Sequence, residues 1–159
     1  RKENTMNRLC FVVFACFLSS SVPAADNPVI EFLKPPGLLN VPSFSQTTTA
    51  RGGKLVFVSG QVAWDEKGKA LFPGDLEAQT RKTYDNLKLA LVAAGATFDD
   101  VVKFTIYVKN LDTAKWKLIS KVRSEYLSPD RPPASTMVGV TGLVFEGLLI
   151  EIEAYAVVK

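Results

Sequence analysis

A chain of 159 residues, 47% hydrophobic and 22% charged, is long enough for one domain with a sizeable core and too apolar to be disordered. It contains no histidine, and both cysteines, Cys10 and Cys16, lie near its start. Past them there is no imidazole, thiol or disulfide, which excludes Ser-His-Asp hydrolases, zinc hydrolases built on His and Cys, and ribonucleases working through paired histidines.

Acid–base chemistry therefore falls to carboxylates, lysine, tyrosine, backbone groups and water, and neither a cofactor nor a metal is expected. Met6-Asn7-Arg8 is a short basic start, Leu9–Leu18 is an unbroken apolar run of ten, and Ser19–Ala25 is small and polar. This is the anatomy of a secretory signal peptide cut before Ala25, and it predicts a secreted or periplasmic protein. Ten apolar residues rise about 15 Å as a helix, against roughly 30 Å of bilayer core, so no stable membrane span is expected. An uncleaved anchor is the competing reading. Arg1–Thr5 precede the first methionine, and residues 1–24 as a whole are set aside from the fold. Without Arg1, Lys2, Glu3 and Arg8, the nineteen basic and sixteen acidic residues become sixteen and fifteen, a net charge near +1. No Lys/Arg run remains to track a phosphate backbone, so nucleic acid is not an expected partner.

Residues 25–43 carry four prolines and Gly37, which predicts an extended arm. Ser45–Ala50 and Lys54–Ser59 read as strands joined through Arg51-Gly52-Gly53, a hairpin signal, with Gly60–Trp64 continuing the pairing. Asp75 is a good N-cap for a helix whose stripe is Leu76, Thr80, Thr83, Tyr84, Leu87, Ala90, Leu91 and Ala94, with Gly95 at its end. Val101–Lys109 alternates as a strand. Asp112 caps a second helix with the stripe Trp116, Ile119, Val122 or Arg123, and Tyr126, and Pro129 ends it. Ala134–Val140 and Leu148–Val158 read as a second hairpin. The order ββαβαββ predicts an α+β fold, a mixed β-sheet with two helices on one face. Val56, Val58, Ile106, Val108, Ile150 and Ile152 supply more apolar alternation than two helices need to cover, which predicts oligomerisation.

Glu151 and Glu153 are two apart on the last strand and share a face, with Ile150 and Ile152 on the other. Alone, such a pair is most simply a solvated face. Its setting says more. From Arg131 the chain reads RPPASTMVGVTGLVFEGLLIEIEAYAV, with a Pro-Pro-small-Ser-Thr strand entry and a closing Gly-Leu-Leu-Ile-Glu-Ile-Glu-Ala. Together with Ser59-Gly60-Gln61 and Asn86-Leu87, this resembles the RidA/YjgF/UK114 family from about Phe44 to Val157.

The resemblance implies a chorismate-mutase-like RidA domain over residues 44–159. It also implies a homotrimer with a barrel-like core, and small-molecule sites between subunits that hydrolyse imines or enamines. It implies Glu151 as the catalytic, water-activating glutamate, and a ligand pocket at Phe44, Gly60, Ala134, Ser135 and Thr136. Phe44 stands where the family carries a tyrosine, and Thr136 where many members carry a cysteine. Ala134 stands where the family's substrate-clamping arginine should be; Arg131, three residues earlier behind two prolines, reaches that place only by a different path. Losing such an ion pair costs several kcal/mol of binding, about 10³-fold. The implied function is imine deamination on a ligand that is neutral or differently charged. The alternative is a non-catalytic small-molecule-binding or interaction protein of the same fold.

Overall fold

The computed structural model describes residues 29–159; the expected signal segment, residues 1–24, lies outside them. The elements are β1 (Val29–Leu33), β2 (Thr47–Arg51), β3 (Lys54–Val62), α1 (Leu76–Ala93), β4 (Val101–Lys109), α2 (Thr113–Arg123), β5 (Ala134–Val140) and β6 (Ile150–Val158), with a single 3₁₀ turn, Phe98–Asp100, before β4. From β2 onward this is the expected ββαβαββ order and a mixed sheet carrying two helices. Asp75 Oδ1 accepts from Ala78 N to cap α1, and Asp112 Oδ1 accepts from Lys115 N to cap α2, as the sequence predicts.

Both expected hairpins are absent. The main sheet has the order β3-β6-β4-β5, so β4 lies between β5 and β6. β4 pairs with β5 in parallel and with β6 antiparallel. The parallel pair is joined through α2, and the stretch from Thr141 to Leu149 is too long for a tight turn. At the other end, Gly52 and Gly53 make a turn with φ of 70° and 71°, but the strands they join part company. β3 pairs with β6, while β2 pairs with β1 in a separate two-stranded sheet. The predicted extended arm thus contains a paired strand, a Pro-free Val-Ile-Glu-Phe-Leu segment between Pro28 and Pro35. α2 stops at Arg123, well short of Pro129, because the chain then turns to stack Tyr126 on Tyr84, with ring centroids 4.8 Å apart and planes 18° apart.

The core lies between the sheet and the helices. Tyr84, Leu87 and Leu91 of α1 and Ile119 of α2 meet Val58, Phe104, Ile106, Val108, Ile150, Ile152 and Ala154. The residues expected to line an oligomer face, Val56, Val58, Ile106, Val108, Ile150 and Ile152, therefore belong to the protomer's own core. The opposite face carries Leu55 and Phe57, 62% and 70% exposed, with Phe57 edge-on to Tyr155 at 5.5 Å.

One buried amide fixes how the last strand begins. Gln79, fully buried on α1, accepts from Leu149 N at 2.8 Å through Oε1. Its Nε2 faces the carbonyls of Leu71, Phe72 and Gly147, at 3.1, 3.1 and 2.7 Å. Gln79→Leu orphans several of these buried backbone groups at once, each worth about 1–3 kcal/mol. We expect a loss of about 2–4 kcal/mol in urea unfolding, and a loss under 1 kcal/mol would show that water replaces the amide.

Candidate functional site

Residues paired across neighbouring strands share a face of the sheet, so register sorts the candidate residues. On the face away from the helices, Glu151 stands beside Tyr107 and Val138. The next row is Glu153, Thr105 and Thr136, and the third is Tyr155, Lys103 and Ala134. Ser135 pairs with the buried Phe104 and so lies on the helix side. The expected site residues fall into three places, not one.

The first place is the Glu151 carboxylate. β3 is bulged between Val58 and Gln61, and Gly60 sits in the bulge. A methyl group built on Gly60 would meet Glu151 Oε1 at 2.0 Å, so the carboxylate occupies the space that glycine leaves empty. Glu151 is half-buried. Burial, and then the charge of Glu153, push its carboxyl above the usual range. Glu153 accepts a long hydrogen bond, 3.4 Å, from the Tyr107 hydroxyl.

The second place is the start of β5, where Thr136 and Ala134 hold the second and third rows. Lys103 Nζ donates to Thr136 Oγ1 at 2.5 Å, and burial lowers the lysine's pKa. With strands about 4.8 Å apart and about 3.3 Å per residue, Ala134 lies about 16 Å from Glu151 of the same chain.

The third place is a cleft of about 560 Å³ between α2 and the β5 edge, lined among others by Phe44, Trp116, Ser120, Ser135 and Met137. Ser45 pairs with Ala134 and holds Pro132 O through its hydroxyl at 2.6 Å, which fixes Phe44 at the mouth. Trp116, expected on the buried stripe of α2, is 48% exposed and faces this cleft. Arg123 also lines it, although it sits on the buried stripe; its Nη1 donates to Ser135 Oγ at 3.1 Å. Sequence reading assigned Arg123 no role beyond that stripe; the available signal was a cation at an apolar helical position. Arg131 is not a substitute clamp, because its guanidinium lies 5.6 Å over the Phe32 ring. Among the described residues no cluster of carboxylates could hold a metal ion, and no helix is long and apolar enough to cross a membrane.

A family model described as Endoribonuclease L-PSP matches residues 38–158. The RutC family protein PH0854 of Pyrococcus horikoshii is 38% identical over 107 residues, 67% of this chain and 81% of the relative. The RutC family protein YjgH of Escherichia coli is 39% identical over 106 residues, 67% of this chain and 77% of the relative. Among solved structures, YyfB of Yersinia pestis, a Rid-family protein of unknown function, superposes with a TM-score of 0.75 at 34% identity, covering 81% of this chain and 98% of that one.

The raised pKa of Glu151 has a consequence for stability. A carboxyl that holds its proton more tightly folded than unfolded lowers stability once pH rises through its folded value, and has no such effect below its unfolded value. Glu151→Gln should therefore melt above the parent at pH 7 and level with it at pH 3. An equal or lower melting temperature at pH 7 would show that the carboxylate is solvated. Gly60→Val should displace the same carboxylate, and a crystal structure with Glu151 unmoved would refute the contact.

Proposed function

This chain belongs to the Endoribonuclease L-PSP family, the family of the RutC, YjgF and Rid proteins, and on that premise we propose that it hydrolyses a small imine to a carbonyl compound and ammonia. The observation that carries the reading is the Glu151 carboxylate, held over Gly60 with its pKa raised. Such a group can take a proton from water at neutral pH and return it within one reaction cycle. Water oxygen adds to the imine carbon as Glu151 removes a proton, giving a carbinolamine. That proton passes to the nitrogen; Glu151 then takes the carbinolamine's hydroxyl proton and hands it to the amine as the C–N bond breaks, so ammonia leaves as the carbonyl forms and the carboxylate is restored. Atoms and charge balance without an oxidant or reductant.

A homotrimer completes the site in this reading. Glu151 with Gly60, and the cleft of Phe44 and Ser135, are separate halves within one chain. Adjacent copies, packed through the face that carries exposed Leu55 and Phe57, would bring one chain's carboxylate to its neighbour's cleft. The ligand is a small molecule, and the near-neutral charge beyond residue 24 gives nucleic acid little to bind. Export follows from the apolar run Leu9–Leu18.

A second reading, a ligand-binding protein without catalysis, is favoured by Ala134 alone. An assay that generates imines in situ with an amino-acid oxidase separates the two. We expect accelerated release of the carbonyl product, falling at least about 100-fold in Glu151→Ala. The rate should also fall as pH drops, with an acid limb above the ordinary glutamate value of about 4.3. No acceleration with acidic, neutral or basic amino-acid imines would favour the binding protein.

A further inference from the structure

Arg123 closes the buried stripe of α2 after Ile119 and Val122, and is 7% exposed. Its guanidinium is 5.9 Å from the Phe104 ring centroid and donates to Ser135 Oγ. The last turn of α2 adds the negative end of a helix dipole. Each of these partly offsets a buried charge, and none is an anion. Nε and Nη2 are buried without a hydrogen-bond partner, and among the described residues the ion pairs found are those of Arg81, none of Arg123. Tyr84 Oη is likewise buried and without a partner.

The cleft wall does not supply the missing anion. Asp112, its one carboxylate, caps the opposite end of α2, eleven residues or about 16 Å along the axis. What remains open on Arg123 is its Nε–Nη2 edge, two parallel donors at the spacing of a carboxylate's two oxygens. Both donors are shielded, so their engagement requires the side chain to turn toward the cleft that it lines. The wall also carries the hydroxyls of Ser120 and Ser135, and its apolar part includes Phe44, Trp116 and Met137.

We propose that Arg123 is the anion-recognition residue of this cleft, its guanidinium taking the carboxylate of a small organic acid whose apolar body lies against Phe44, Trp116 and Met137. The positive charge missing at Ala134 is thus supplied from the helix side of the sheet. The proposal rests on the reading of the cleft as half of the ligand site, and its new element is the residue that holds the acid.

Calorimetric titration of the full chain with 2-oxobutanoate, and with butanone as the same body lacking the carboxylate, tests it. We expect 2-oxobutanoate to bind at least about tenfold tighter to the protein than to Arg123→Met, with butanone indifferent to the change. Arg123→Lys, which keeps the charge and loses the fork, should fall between; it also serves if the Met variant does not fold. Melting gives an independent readout, because removing an uncompensated buried charge should raise the Tm of Arg123→Met. No binding of 2-oxobutanoate, equal affinity in parent and variants, or a lowered Tm with unchanged affinity would each overturn the proposal. Carboxylate binding through Arg123 with no imine hydrolysis would sink the deaminase reading while leaving Arg123's role intact.

Discussion

The amide of Gln79 is the constraint on which the functional face depends. It is buried on α1, yet its partners are all backbone groups of loops: the stretch before α1 and the stretch that feeds β6. Binding Leu149 N fixes where β6 starts, and therefore which of its residues face the helices. Because side chains alternate, a slip of one residue would exchange Ile150 and Ile152 for Glu151 and Glu153 in the core. A single polar group inside the core thus decides which side of the sheet carries the carboxylates. Asn86, one helical stretch further on, does related work for β3 by donating to the carbonyls of Val62 and Trp64. The two amides align β6 and β3 so that Glu151 meets the bulge at Gly60.

That alignment divides the chemistry between two sides of one sheet. The potential base lies on the face away from the helices, beside β3. The aromatic cleft with its buried cation lies at the opposite edge, between β5 and α2. Under the proposed deamination a single copy does not bring the two to one ligand, which is why the proposal includes assembly. The exposed Leu55 and Phe57 are what such assembly would cover.

The elements themselves were legible in the sequence, since caps, prolines and periodicity are local signals. Asp75, Asp112 and the alternation of Val101–Lys109 each predict their element correctly. Strand partners were less legible, because pairing is decided by contacts far apart in sequence. The glycine turn at Gly52-Gly53 has hairpin character, but β3 finds more apolar partners in β6 than in the threonine-rich β2. The same limit applied to the site. The Glu151–Gly60 juxtaposition rests on two matched motifs, though neither reveals that the carboxylate fills the glycine's empty space. Arg123 was passed over because a helical stripe tolerates one long side chain that reaches outward; here that side chain stays inside.

The cleft also has a redox character. Beyond Cys16 the chain holds a single sulfur atom, the thioether of Met137, and it lies on the wall that Arg123 shares. With threonine at position 136, the fold presents no thiol for peroxide to attack. Met137 is the one sulfur on the cleft wall that an oxidant could attack. Its sulfoxide would set a polar, bulkier group against the apolar body of any bound acid, a change that reductases can reverse.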